Sequence, residues 1–267
     1  MFKQITSPQN SFVKELVQLK EKSRLRKKTN TFIIEGLREI TLALNGDYEI
    51  TTILADSSII YEDDFETLSN LLPAEVEIIE ISNDVYKKIA LRDSTEGILA
   101  VAKGKNLALN NINFKNKTPL ILIAEAPEKP GNIGALLRTA DAAGVDAVFI
   151  ANPKTDLYNP NIIRSSVGCV FTTTIATGST SEIIDFLKEN NIQMYGAALT
   201  ASVEYQTIDY KQATAIIVGT EATGLSNEWL NNTTKNIIIP MRGAIDSMNV
   251  SVSAAIIVFE AIRQRNL

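Results

Sequence analysis

The sequence contains no histidine and one cysteine, Cys169. Ser-His-Asp and Cys-His catalysis are thereby excluded, as is every zinc site that needs histidine. With one cysteine, thiolate zinc and iron–sulfur sites go too, and no metal is expected. Proton transfer is left to Asp, Glu, Lys, Arg, Tyr, a thiol or water. Cys169 sits in a small and apolar run, SSVGCVF, and reads as a buried structural thiol. It can form no intramolecular disulfide, which fits a reducing, cytoplasmic setting.

Three glycine-bearing stretches hold polar groups at suggestive spacing. Pro130–Gly144 (PGNIGALLRTADAAG) carries Asn132 and Arg138. Gly219–Ser226 (GTEATGLS) carries Glu221, and Pro240–Ser251 (PMRGAIDSMNVS) carries Ser247, Asn249 and Ser251. Small polar residues among glycines let a backbone come close to a ligand. Taken singly, each has an ordinary reading. Glu221 at a strand end caps a backbone nest, Asn249 and Ser251 cap a helix, and Arg138 is an exposed arginine on an amphipathic helix. Arg138 does stand opposite Ile133, Leu136, Leu137, Ala140 and Ala143 in helical register. Ala135 and Ala142 flank it and leave room beside it. No G-x-G-x-x-G and no G-x-x-x-x-G-K-[ST] is present, so neither dinucleotide nor P-loop fingerprint applies. Gly131–Gly134 (GNIG) is a weak match to a KH-type GXXG loop and lacks its basic residues.

The elements that must position these groups alternate. Ser11–Arg26 reads as a first helix, followed by strands at Thr31–Ile34, Glu49–Ala55, Val76–Ile81 and Gly97–Ala102, with helices between them. That makes a small α/β domain over residues 1–104. The Asn- and Lys-rich stretch 105–118 reads as a linker. From 119 to 267, strands at Leu120–Ala124, Ala147–Ile150, Phe171–Ala176, Gln193–Ala197, Ala215–Gly219 and Asn236–Pro240 alternate with helices. Several are continuous apolar runs, as in a parallel sheet covered on both faces. Ligands bind such sheets at the carboxyl ends of strands, where all three stretches fall. On the last helix Val252, Ala255, Ile256, Phe259 and Ile262 form one apolar stripe, and Arg263 and Arg265 complement its C-terminal dipole.

The chain of 267 residues is 45% hydrophobic and 21% charged, the balance of a soluble globular protein. No apolar run is long enough to span a bilayer, and the opening MFKQITSPQNS lacks a secretory h-region, so no membrane partner is expected. The net charge of −5 conceals an asymmetry. Residues 1–30 carry Lys3, Lys14, Lys20, Lys22, Arg24, Arg26, Lys27 and Lys28 against Glu15 and Glu21, whereas no Lys or Arg occurs between Glu39 and Tyr86. A basic head on an acidic protein suits a polyanion, and equally a solvated helix face.

Jointly, the three stretches resemble the three motifs of SpoU-type (TrmH-like) RNA ribose 2′-O-methyltransferases of the SPOUT superfamily. Asn132, Gly134 and Arg138 stand at the positions of the first motif. Gly219, Glu221 and Gly224 fit the second, and Pro240, Met241, Gly243, Ser247, Asn249 and Ser251 the third. Thr220 and Ala222 replace the usual Asn and Gly around the glutamate, and Met248 replaces a Leu at conserved volume. The segment Ser7–Gly36 is similar to a small ribosomal-protein-like RNA-binding domain that precedes this fold.

The resemblance implies a parallel-sheet methyltransferase domain with a trefoil knot, S-adenosylmethionine as cofactor and a homodimer with the active site at its interface. It implies methylation of a ribose 2′-hydroxyl in structured RNA, ribosomal RNA before tRNA; a tRNA enzyme and a non-catalytic RNA-binding protein are the alternatives. Arg138 would act on the hydroxyl, with Asn132, Glu221, Ser247 and Asn249 holding it and the ribose. Leu199, Thr200, Gly219, Ile239 and Met248 would contact the cofactor. Lys22, Arg24, Arg26, Lys27 and Lys28 would hold RNA phosphates.

Overall fold

The computed structural model describes residues 3–91, 96–200, 202–220 and 222–266. Two compact units emerge: Met1–Lys105 with Asp156–Thr172, and Asn106–Thr155 with Thr173–Leu267. The first begins with β1 (Lys3–Ile5), α1 (Ser11–Glu21), α2 (Ser23–Thr29), β2 (Thr31–Glu35), α3 (Leu37–Asn45), β3 (Ile50–Ala55), α4 (Glu62–Ser69), β4 (Glu77–Ile81), α5 (Asn83–Ile89) and β5 (Ile98–Lys103). The second opens with β6 (Leu120–Glu125), α6 (Pro130–Ala143) and β7 (Ala147–Ala151). The chain then returns to the first unit for α7 (Pro160–Ser165) and α8 (Cys169–Thr172). It finishes in the second with β8 (Ile175–Gly178), α9 (Thr180–Glu189), β9 (Gln193–Ala197), β10 (Ser202–Glu204), β11 (Thr214–Val218), α10 (Asn227–Asn232), β12 (Lys235–Ile238) and α11 (Val250–Arg265).

The first unit is a mixed sheet in the order β1-β4-β3-β5-β2, with β5 antiparallel to β3 and β2. Val13, Leu16 and Leu19 of α1 pack on Ile33, Leu54, Ile79 and Leu99 of the sheet. The single helix expected over Ser11–Arg26 is two. The backbone is extended at Lys22 (φ −109°, ψ 107°), and α2 restarts at Ser23. The break aims Arg26 back at α1, where its Nη1 donates to the carbonyls of Leu19 (2.6 Å) and Lys20 (2.9 Å). These are terminal helix carbonyls that otherwise lack partners. The acids Glu62, Asp63 and Asp64 form the first turn of α4, where the helix dipole favours them.

Phe171 starts no strand, contrary to the strand expected over Phe171–Ala176. It lies in α8, its ring 5.9 Å from Phe32 and 5.1 Å from Tyr48, while Tyr158 stacks on Phe32 at 4.2 Å. Aromatic packing of this kind overrides a β-prone local sequence. Burial, with Tyr158 alongside, pushes the Tyr48 hydroxyl up in pKa, and burial does the same to Tyr158.

The second unit is a seven-stranded, wholly parallel sheet in the order β10-β12-β9-β11-β6-β7-β8. Every residue of β6, β7 and β11 is buried, which is why these strands read as unbroken apolar runs. Trp229, Phe149, Ile183 and Leu187 fill one face of the core. The stretch read as a linker is packed here. Leu109, Ile112 and Phe114 lie on that core, and Thr177 N–H donates to the Leu107 carbonyl at 2.7 Å.

The last helix buries Ala254, Ile257, Val258 and Ala261. These are not the stripe picked out by the sequence. Val252 and Phe259 of that stripe are each 48% exposed, so α11 is apolar on two faces and the second is uncovered within the unit. Arg265 does more than complement a dipole. It donates to the carbonyls of Thr118 (2.6 Å), Tyr210 (2.9 Å) and Gln212 (2.7 Å), bolting the helix to the chain before β6 and β11. Hydrogen bonds from Arg263 and Gln264 hold the Glu260 carboxyl down to about 2.

Candidate active site

In the sheet, β12, β9, β11 and β6 are consecutive neighbours. The loops leaving their carboxyl ends must therefore meet, although the chain visits the strands as β6, β9, β11, β12. Three of these loops are the motif stretches; the fourth follows β9.

The loop after β11 closes on itself. Thr220 N–H donates to Gly224 O at 3.0 Å and Gly224 N–H to Thr220 O at 3.1 Å, while the Thr220 and Thr223 hydroxyls share a 2.8 Å hydrogen bond. Position 219 must be glycine for this reason: a Cβ there would run into the Gly224 backbone. The end of the loop is pinned by Glu125, 6% exposed at the tip of β6, which accepts from Ser226 N–H at 2.8 Å. The sequence reading gave Glu125 no role. The available signal was a carboxylate ending an apolar strand, which is buried only when hydrogen-bonded.

In the loop after β12, Ser247 Oγ donates to Asp246 Oδ1 at 2.9 Å. Asn249 caps α11, its Oδ1 accepting from Ser251 N–H (2.9 Å) and Ser251 Oγ (2.6 Å). That much the residue type foretells. Its other end reaches the first motif, where Asn249 Nδ2 donates to Asn132 Oδ1 at 3.2 Å. Helix α6 itself is well punctuated, with proline at its start and Gly144 in the left-handed region at its end (φ 63°), and α11 packs along it.

A cavity of about 590 Å³ opens among these loops. Leu199 and Thr200 line it from the loop after β9, Gly219 after β11, and Ile239, Ser247 and Met248 after β12. All five residues expected at a cofactor thus face one space. Arg138 lies on the exposed side of α6, outside that lining, and among the described residues its side chain has no hydrogen-bond or ion-pair partner. Glu221 lies outside the described residues.

Residues 119–259 match the model of the SpoU rRNA Methylase family. The chain belongs to this family. Residues 10–100 match the MRM3-like substrate binding domain. Over 257 residues, 96% of this chain and 98% of the relative, it is 32% identical to 23S rRNA (guanosine(2553)-2′-O)-methyltransferase RlmP of Bacillus subtilis. An AdoMet-bound rRNA methyltransferase from Sinorhizobium meliloti superposes with a TM-score of 0.90 at 28% identity, covering 98% of each chain. The SpoU methyltransferase AviRb from Streptomyces viridochromogenes, in complex with AdoMet, gives 0.88 at 26% identity, covering 97% of this chain and 99% of that one.

Among the residues expected to hold RNA, one needs correction. Lys22, Arg24, Lys27 and Lys28 are exposed, but Arg26 is only 4% exposed and not available to RNA. Its Nε and Nη2 grip Asp156 Oδ1 and Oδ2 at 3.1 and 2.7 Å, a paired fork-to-carboxylate contact. With Nη1 on the α1 carbonyls, the guanidinium is satisfied where it is buried. Among the described residues, no group of three or more His, Cys, Asp or Glu is placed to hold a metal ion, and no helix is long and apolar enough to cross a membrane.

Proposed function

We propose that this chain transfers the methyl group of S-adenosylmethionine to a ribose 2′-hydroxyl of ribosomal RNA. The observation that carries the reading is the cavity shared by the loops after β9, β11 and β12, with the Asn132–Asn249 hydrogen bond tying its third-motif loop to the helix of Arg138. The cavity's volume is in the range of small-molecule sites. Leu199, Ile239 and Met248 offer apolar contact to a flat base, and Thr200, Gly219 and Ser247 bring polar groups to the same cavity. These residues fit S-adenosylmethionine.

When bound, the cofactor supplies a methyl group on a positively charged sulfur. The chain's task is to hold a ribose oxygen in line with it, and positioning of this kind supplies much of a rate. Arg138 orients the hydroxyl and its neighbouring phosphate, and the hydroxyl proton leaves to water as the oxygen takes the methyl group. A guanidinium keeps its charge and presents a planar fork of donors to phosphate. Asn249, fixed by its cap and by Asn132, and Ser247, fixed by Asp246, stand by as polar groups for the ribose. Glu221 belongs to the same set by its place in the second motif.

The enzyme is a homodimer in this reading. The open apolar face of α11, with Val252 and Phe259, and the unpartnered Arg138 on the helix beside it both support a second copy there. The C-terminal part carries the family's trefoil knot, a reading supported by β12 lying next to β9 although β11 intervenes in the chain. The first unit resembles a ribosomal protein and binds RNA through its basic helix. A ribosomal substrate suits a cytoplasmic enzyme.

Labelled methyl transfer from S-adenosylmethionine to purified ribosomal RNA and tRNA, with mapping of ribose methylation, tests the reaction and its substrate. Incorporation into ribosomal RNA at a 2′-oxygen is expected. Label in tRNA alone would move the substrate, and RNA binding without label would leave a non-catalytic binder.

Replacing Lys22, Arg24, Lys27 and Lys28 together, with Arg26 kept, should weaken ribosomal RNA binding about tenfold or more near physiological salt. The slope of log affinity against log salt should flatten by roughly 3, since each lost phosphate contact removes about 0.7–0.9. S-adenosylhomocysteine binding should not change. An unaltered salt slope would make these residues a solvated surface.

A further inference from the structure

We propose that the tip Arg242–Ile245 of the loop after β12 grips the RNA strand beside the target nucleotide, Arg242 on a backbone phosphate and Ile245 against the face of a base. The inference rests on the reading of this chain as an RNA ribose methyltransferase. The loop is built in three stretches. Ile239 and Met241 line the cavity on the way out, and Asp246, Ser247 and Met248 line it on the way back. The four residues between line none of it, and all four are exposed.

Ile245 is 68% exposed, among the most exposed large apolar side chains of the described chain. Arg242 has no hydrogen-bond or ion-pair partner among the described residues. A lone exposed isoleucine is unremarkable, and so is a lone surface arginine. Their placement is what matters. Successive Cα atoms are about 3.8 Å apart, so Arg242, next to Met241, and Ile245, next to Asp246, both sit one residue from the cavity wall. The far end of the loop is tied through Asn249 and Asn132 to the helix of Arg138.

A ribose presented to the cavity brings its neighbours with it. Those nucleotides must cross the rim, and the tip is rim. Arg242 brings a fork of donors that matches a phosphate. Ile245 brings an apolar surface for a base that has left its stack, the state in which single-stranded RNA is read.

Arg242→Ala, Arg242→Lys and Ile245→Ser in the full chain test this. Equilibrium binding of ribosomal RNA across a salt series is read for each, with S-adenosylhomocysteine calorimetry, melting temperature and sedimentation alongside. Arg242→Ala should bind RNA roughly tenfold more weakly and flatten the salt slope by about 1. Arg242→Lys should restore the slope and only part of the affinity, because an ammonium keeps the charge without the fork. Ile245→Ser should weaken affinity several-fold at an unchanged slope. Cofactor-product binding, melting and sedimentation should match wild type. RNA affinity and slope equal to wild type in Arg242→Ala overturn the proposal. So does altered sedimentation in place of altered RNA binding, which makes the tip a protein contact. Methyl transfer by the wild type is scored separately: its absence defeats the enzymatic reading, while the binding data still decide the tip.

Discussion

Arg138→Ala is expected to lower the maximal rate of methyl transfer by about 10²–10³-fold and to leave S-adenosylhomocysteine affinity within about twofold. Arg138 stands on the exposed side of α6 and does not line the cavity, so its loss removes no cofactor contact. Truncating an exposed side chain with no partner among the described residues should cost about 0.5 kcal/mol of stability at most. The loss therefore belongs to the reaction and not to the fold. Ala135 and Ala142 beside it are small and leave room at the guanidinium. Arg138→Lys should recover little, since one ammonium cannot orient a hydroxyl and a phosphate in a single plane. Turnover of Arg138→Ala at the wild-type rate, at saturating RNA, would remove Arg138 from the chemistry.

The second large effect concerns an arginine that sequence placed on RNA and structure placed in the interior. Arg26→Ala should destabilise the first unit by about 3–5 kcal/mol. Most of this comes from what is left behind. The Asp156 side chain is 9% exposed and would lose both of its guanidinium bonds, and the carbonyls of Leu19 and Lys20 would lose their donor. A melting temperature lower by roughly 10 °C or more is expected for that unit. Arg26→Lys should rescue little, because the paired contact needs two parallel donors. Lys27→Ala, one position on and exposed, is the control and should melt like wild type. If Arg26→Ala melts normally but binds RNA weakly, Arg26 belongs to the RNA surface after all.

The same contact separates what can be read along a chain from what cannot. Helix ends depend on partners a few residues away. Proline at the start of α6, Gly144 at its end and Asn249 capping α11 are therefore legible in sequence, and so is the alternation that makes the second unit α/β. Arg26 meets Asp156 across 130 positions. Nothing local distinguishes it from Lys27 or Lys28, and only the break at Lys22 turns it inward. Phe171 reads as strand because the rings that hold it in α8, Phe32 and Tyr48, are far away in sequence.

The site divides along the same line. Residue types and spacing exclude histidine from any chemistry here and pick out three loops, with Arg138, Asn132, Glu221, Ser247 and Asn249 as the polar groups proposed for it. Periodicity also found an apolar stripe on the last helix. It could not say which of two apolar faces the core would take, because burial is decided by the surface a helix meets; α11 buries Ala254, Ile257, Val258 and Ala261 and leaves Val252 and Phe259 of the stripe exposed. Nor could it order the sheet. Only the folded chain sets β12 beside β9 and β9 beside β11, and that adjacency makes one cavity from loops that are separate in sequence. Strand order depends on hydrogen bonds between distant backbones, which all residue types supply alike, so the sequence carries the pieces of the site and the tertiary structure carries their meeting.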